Sequence, residues 1–258
     1  MKFYLSLIKK TFKRNDKIYN LKNEALTVYL TALMSYIFTP IFIIFKIKPN
    51  TITFVNFILA ILSLSLIFTI KDVYFKIAIL IYFIFRVLDV CDGSVARLTN
   101  QASFYGRFLD SALDIFYESF LILLIGYYCF KQHNSEELFL LGIVASIFAI
   151  FNTCIYDKYA ALVRWMNAEK KTNFVPYLRK KYFARLGYTM SDLNHFLIII
   201  LLFFSQNSKV FLISAELFFL SFIFTSLVNL IKHFYSASKV LRFQAQDKKT
   251  YAKKGKVT

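Results

Sequence analysis

Long apolar runs separated by short polar segments form the dominant pattern of this chain. Six runs have about the 20 residues that an α-helix needs to cross a bilayer, although the fifth is short. They occupy residues 52–70, 73–92, 108–130, 138–156, 193–206 and 210–231. Hydrophobic residues make up 58% of the sequence, and the mean hydropathy is +0.53. The pattern predicts an all-α, polytopic membrane protein with six transmembrane helices.

A seventh apolar run, 26–47, is long enough to span as well, but the charges at its ends argue against a crossing. Lysine and arginine collect on the cytoplasmic side of membrane proteins. Residues 1–25 carry seven of them, and Lys46 and Lys48 lie at the other end of the run. We therefore predict an N-terminal interfacial helix. Its polar stripe is also compatible with packing against a neighbouring span, and it consists of Thr27, Thr31, Ser35 and Thr39.

Six spans give a consistent alternation of charge across the membrane. The connections 93–107 and 157–188 and the C-terminal tail are basic and fall inside, whereas the outer turns hold one lysine each. The prediction is a multi-pass protein of the cytoplasmic membrane with both termini in the cytoplasm. We divide the chain into a basic N-terminus with a juxtamembrane helix (1–48), a six-helix domain (49–235) and a basic cytoplasmic tail (236–258).

The formal net charge of +17 has two possible origins. Nucleic-acid binding requires basic residues on a soluble domain, but here they flank apolar runs. Attraction to anionic lipids of the inner leaflet explains them better, and we expect no nucleic-acid partner. The three cysteines show neither paired metal-ligand spacing nor a disulfide framework.

Four aspartates provide the candidate chemistry. Asp89 and Asp92 end the second span and Asp110 and Asp114 begin the third, so that all four should meet at the cytoplasmic edge of the membrane. The spacings i,i+3 and i,i+4 put each pair on one helix face. Carboxylates beside hydrocarbon indicate function, and an all-oxygen ligand set suits Mg²⁺, Mn²⁺ or Ca²⁺ rather than zinc.

The residues between the two pairs extend this interpretation towards phosphate chemistry. Gly93 and Ala96 leave room for a ligand near the backbone, and Arg97 offers a planar cationic group suited to phosphate. The alternatives are a structural cation site, the carboxylate pathway of a cation-coupled transporter, or an inactive lipid-binding homologue.

These same residues carry a resemblance to a known family. The segment reads Asp89-x-x-Asp92-Gly93-x-x-Ala96-Arg97, then eight residues, then Gly106-x-x-x-Asp110-x-x-x-Asp114. It resembles the complete signature of the CDP-alcohol phosphatidyltransferases. The resemblance implies transfer of a phosphatidyl or phospho-alcohol group from CDP-diacylglycerol or another CDP-alcohol to an acceptor hydroxyl, with release of CMP. It also implies a membrane enzyme of lipid or polar-headgroup biosynthesis that acts as a homodimer, and it leaves the acceptor open.

The resemblance also assigns roles to individual residues. Asp89 and Asp110 would bridge two Mg²⁺ or Mn²⁺ ions, Asp92 would bind the first ion, and Asp114 would bind the second and act as the general base. The implied nucleotide or donor site includes residues from the start of the first span and from the signature region, namely Asn50, Thr51, Ile52, Thr53, Gly93, Ala96, Arg97 and Ser103.

Acceptor residues are predicted from position alone. Lys158 and Arg164 stand where related enzymes place cations that hold an acceptor's phosphate, or they are solvated or snorkelling side chains. His195 is another candidate, although a lone histidine is more often a packed, hydrogen-bonded residue. Glu118 continues the stripe of Asp110 and Asp114, where it would orient Asp114 or its metal, or pair with Arg86 or another polar partner.

Overall fold

The protein is described by a computed structural model that covers Tyr4 and residues 6–11, 26–170, 193–201, 203–204 and 208–254. In these residues the regular secondary structure is α-helical, which confirms the predicted all-α class. A helical segment occupies 193–201. The longer helices are α1 (Leu26–Ile44), α2 (Pro49–Phe68), α3 (Asp72–Leu98), α4 (Phe104–His133), α5 (Glu136–Lys170) and α6 (Ser208–Lys254).

Three of these helices contain stretches that are long and apolar enough to cross a membrane. They are Pro49–Phe68, Glu136–Asn167 and Lys209–Ser238, as judged over the described residues. Large apolar side chains face outward on each of them; Phe54 and Leu140, for example, are 61% and 62% exposed. Such surfaces are unfavourable in water and suit lipid, so this is a membrane protein. The count of six spans stays a prediction, and part of the fifth, 193–206, lies outside the described residues.

Helix α3 is longer than the span predicted from hydropathy. We expected a cytoplasmic connection from residue 93, but the helix continues to Leu98. A glycine inside a helix costs about 1 kcal/mol, yet the helix continues past Gly93, and the adjacent Ser94 and Val95 are buried. The connection to α4 is therefore short, and Asn100 turns the chain with a left-handed φ of 57°. Similarly, α5 extends into the predicted 157–188 connection, and α6 extends into the predicted tail.

The polar stripe of α1 packs against α3. Ser35 and Thr39 are fully buried, and the Cys91 thiol lies 3.9 Å from the Ser35 carbonyl oxygen, to which it donates. The Ser35 hydroxyl donates to the Ala32 carbonyl, so that its own hydrogen-bonding capacity is satisfied within the helix. This packing is the second interpretation that the sequence left open. The interfacial position of the helix stays a prediction.

Close packing of α2, α3 and α4 fixes the frame of the site. Helix α2 runs against both α3 and α4, and α4 also packs against α5. Tyr117 of α4 donates to the Ser63 hydroxyl at 2.8 Å, and Ser63 donates to the Ala78 carbonyl of α3 at 3.0 Å. A Cβ on Gly126 would lie 3.2 Å from the Gly142 Cα, so these glycines allow α4 and α5 to approach closely. The polar contacts tie three helices together at one level.

Candidate active site

The antiparallel arrangement of α3 and α4 brings the aspartates together. Oxygen atoms of Asp89, Asp92 and Asp110 all lie within 4.8 Å of one another. Asp114 follows Asp110 by one turn of α4, on the same face. The structure thus brings together three of the four predicted metal ligands, and the fourth, Asp114, lies one helical turn away.

The cluster has the composition and spacing of a site for hard divalent cations. Three carboxylates at this separation repel one another unless positive charge lies between them. The donors are all carboxylate oxygens, which Mg²⁺ and Mn²⁺ prefer. Both observations fit the predicted ions, which Asp89, Asp92 and Asp110 would hold.

Helix α2 supports Asp92 directly. The Thr53 hydroxyl donates to Asp92 Oδ2 at 2.7 Å, and both side chains are buried. The same hydroxyl lies 3.2 Å from the Pro49 carbonyl oxygen. A carboxylate held by a buried hydroxyl keeps a fixed orientation. Thr53, which was predicted to close the nucleotide pocket, therefore also positions a predicted metal ligand.

A cavity of about 430 Å³ opens beside the cluster, between the first turns of α2 and α4 and the last turns of α3. Most of the predicted donor residues line it, namely Asn50, Thr53, Gly93, Ala96, Arg97 and Ser103. Asp92 and Asp110 form part of its wall. Two predicted residues do not line it, because Ile52 is buried in the helix packing and Thr51 faces outward.

Arg97 presents hydrogen-bond donors to this cavity. A Cβ on Gly93 would lie 3.0 Å from Arg97 Nη1, so the guanidinium occupies the space that this glycine leaves. Arg97 Nη2 donates to the Ser94 hydroxyl at 3.4 Å. The Nε–H is buried without a hydrogen-bond partner in the described part of the chain. A buried, unsatisfied donor on a cavity wall is suited to an anionic ligand.

The opposite wall depends on contacts between the starts of α2 and α4. Ser103 caps α4, and its hydroxyl accepts from the Gly106 backbone N–H at 2.9 Å. A Cβ on Gly106 would lie 3.2 Å from the Asn50 side-chain oxygen. The predicted residues Asn50 and Ser103 thus meet at the signature glycine. Sequence reasoning missed four further lining residues, because they belong to no motif; they are Gln101, Ala102, Phe104 and Arg107.

The predicted acceptor residues occupy two separate places. Lys158 and Arg164 are exposed on α5. Their helix is joined to the site region, because the Ser111 hydroxyl donates to the Asp157 carboxylate. His195 lies elsewhere, with its ring centroid 6.2 Å from that of Tyr82 on α3. A shared role of these three residues in acceptor binding stays a prediction.

Arg86 and Glu118 lie beside Asp114. The Arg86 charge acts on Asp89, Asp114 and Glu118. The Arg86 guanidinium and the Glu118 carboxylate attract each other, which supports the pairing with Arg86 that the sequence left open.

Comparison with known proteins agrees with this arrangement. The family model of the CDP-alcohol phosphatidyltransferases matches residues 46–227, a range that contains the cavity and all four aspartates. No curated protein gives a significant match to the chain. Enzymes of this family transfer a phospho-alcohol group from a CDP-alcohol and generally use divalent metals. The matched range is more than half of the sequence, and the chain belongs to the CDP-alcohol phosphatidyltransferase family.

Proposed function

We propose that this protein transfers a phosphatidyl or other phospho-alcohol group from a CDP-linked donor to an acceptor hydroxyl and releases CMP. One observation carries the proposal: the Arg97 guanidinium and the carboxylates of Asp92 and Asp110 line the same cavity. A CDP-linked donor needs such a combination, because its pyrophosphate requires both a cationic partner and bound metal.

We assign the four aspartates to two Mg²⁺ or Mn²⁺ ions. Asp89 and Asp110 would each contact both ions. Asp92 would bind only the first ion, and Asp114 would bind only the second. Ions bound there supply positive charge that neutralises the pyrophosphate and favours departure of CMP. Thr53 keeps Asp92 oriented through its 2.7 Å hydrogen bond. With such ions bound, the carboxylates would hold the reacting groups in line.

Asp114 would act as the general base. It takes the proton of the acceptor hydroxyl while that oxygen forms a bond to the phosphorus of the group being transferred. The bond from this phosphorus to the oxygen of CMP breaks, and CMP leaves. Arg97 and the nearby Gly93 and Ala96 would hold the nucleotide end of the donor, with Asn50 and Ser103 on the facing wall.

The cellular setting follows from charge distribution. CDP-linked donors made in the cytosol or at its membrane surface reach a site on the cytoplasmic side, where the basic connections lie. We therefore propose a multi-pass protein of the cytoplasmic membrane with both termini inside, bound to anionic lipids and working as a homodimer. The basic connections and tail support the orientation and the lipid contacts; the homodimer rests on the family resemblance.

The test separates donor binding from transfer. In detergent, the Asp114→Asn variant should bind a CDP-linked donor in Mn²⁺ as the wild type does. Its rate of CMP release should be lower by a factor of about 100 or more. Glu216→Gln, an exposed carboxylate on α6, is the matched control and should behave as the wild type. CMP release by Asp114→Asn at the wild-type rate would assign the base to another residue.

A further inference from the structure

The part of α4 that carries Asp110 and Asp114 is held by little apolar burial. The first buried side chain of this helix is that of Tyr117, three residues after Asp114. Before it, the side chains of Phe104 and Phe108 are 94% and 66% exposed. Packing of apolar side chains therefore contributes little to fixing the rotation of this segment about its own axis.

The rotation of the segment decides where its carboxylates point. The ends of side chains lie about 5–6 Å from a helix axis, so a rotation of about 10° moves them by about 1 Å. Productive binding sites hold their groups to within about 0.5 Å and 10–20°. A metal site that includes Asp110 therefore requires a contact that fixes the rotation of α4 at this level.

A hydrogen bond joins α4 to α5 at the level of the aspartates. The Ser111 hydroxyl donates to Asp157 Oδ2, and both side chains are partly buried. Ser111 directly follows Asp110, so the two side chains leave the helix about 100° apart. When Ser111 is directed at α5, Asp110 is directed at the cluster with Asp89 and Asp92. The bond from Ser111 to Asp157 thus matches the rotation that the metal site needs.

Helices α4 and α5 are in contact at two further levels. Gly126 and Gly142 allow a close approach of the two backbones in the second half of α4. Nearer the site, the Ser146 hydroxyl donates to the Ser119 carbonyl at 2.9 Å. The bond to Asp157 is the next contact along these antiparallel helices, and it extends their packing to the metal ligands.

Asp157 acts on the site through Ser111 rather than as a ligand of its own. Among the described residues, the carboxylates whose oxygens lie within 4.8 Å of one another are those of Asp89, Asp92 and Asp110. The residues that line the nucleotide cavity do not include Asp157 either. Its carboxylate accepts from Ser111 instead.

We infer that Asp157 is a positioning residue for the metal site and that it acts through Ser111 by fixing the rotation of α4. The inference rests on the proposed transferase function and its metal ions. Loss of either partner would let the start of α4 turn, so Asp110 and Asp114 would meet the ions in poorer geometry. Changes behind metal ligands commonly weaken metal binding about 10- to 100-fold, and we expect a value near the lower limit.

The experiment measures Mn²⁺ binding to the full-length protein in detergent, without donor, from the loss of the electron paramagnetic resonance signal of free Mn²⁺. Ser111→Ala and Asp157→Ala should each raise the Kd for Mn²⁺ about tenfold. The double variant should raise it no further, because both substitutions remove the same bond. Ser111→Thr keeps a hydroxyl and Asp157→Asn keeps an accepting oxygen, so both should stay within about threefold of the wild type.

Ser146→Ala is the matched control, because it removes another hydrogen bond between the same two helices away from the aspartates. It should lower the midpoint of thermal unfolding in chelator about as much as Ser111→Ala does, and leave the Kd for Mn²⁺ unchanged. A lower midpoint in Ser111→Ala without a change in Kd would overturn the inference, since the bond would then be structural only. Equal weakening by Asp157→Asn and Asp157→Ala would also overturn it, because charge rather than the hydrogen bond would then hold the ions.

The outcomes separate this inference from the function on which it rests. CMP release by the wild type, with an unchanged Kd for Mn²⁺ in the Ser111 and Asp157 variants, overturns the positioning role alone. The expected series of Kd values without CMP release from any CDP-linked donor overturns the transferase function alone. A wild type that binds no Mn²⁺ overturns both.

Discussion

Replacement of Thr53 by valine tests whether α2 positions a metal ligand. The substitution keeps the branched shape but removes the hydroxyl that donates to Asp92 Oδ2 at 2.7 Å. A hydrogen bond to a charged group contributes about 1.5–3 kcal/mol. Because about 1.4 kcal/mol corresponds to a factor of ten, full loss of this hydrogen bond would weaken metal binding by about 10- to 150-fold. Changes behind a metal ligand commonly cost about 10- to 100-fold in affinity.

The assay is the Mn²⁺ concentration that gives half-maximal CMP release. For Thr53→Val we expect this concentration to rise about tenfold or more, with kcat at saturating Mn²⁺ close to that of the wild type. Thr69→Val is the matched control, because Thr69 also donates at 2.7 Å but to the Leu66 carbonyl at an exposed helix end. A half-activation point within about twofold of the wild type would refute the role of Thr53 in holding Asp92.

Three further predictions test other parts of the account. Gly93→Ala puts a Cβ 3.0 Å from Arg97 Nη1, so the KM for the donor should rise about tenfold, and an unchanged KM would remove Arg97 from the donor site. Gly126→Ala meets the Gly142 Cα at 3.2 Å and should lower thermal stability in detergent by about 1–3 kcal/mol, while stability equal to the wild type would show that α4 and α5 move apart freely. Single cysteines placed at the predicted cytoplasmic positions Asn15, Asn100, Thr172 and Lys254 of a Cys-free background should resist an impermeant thiol reagent added outside intact cells. A cysteine at the predicted outer position Asn134 should react. Labelling at Asn100 from outside would place the site on the outer side of the membrane.

Spacing within one helix was readable from the sequence. Asp110 and Asp114 share a face of α4 because the separation of four residues is close to one turn. The predicted topology added the pairing of this face with Asp89 and Asp92, because the second span ends where the third begins, and three of the four carboxylates do meet within 4.8 Å. A motif of this length therefore carried most of the candidate site.

Contacts between helices and the ends of helices were not readable in this way. Hydropathy placed the end of the second span near residue 92, because it follows apolar character, whereas α3 continues through polar residues to Leu98. The bond from Thr53 to Asp92 depends on how α2 and α3 are aligned, and no periodicity within either helix encodes that alignment.

Metal-dependent release of CMP tests the central claim most directly. The purified protein is given a labelled CDP-linked donor and an acceptor panel in Mn²⁺, and CMP is followed against time. We predict release that stops in excess chelator, returns with added Mn²⁺ or Mg²⁺, and is abolished in Asp89→Asn and Asp110→Asn, while Glu216→Gln behaves as the wild type. CMP release that continues at the full rate in chelator, or in both aspartate variants, would contradict the account.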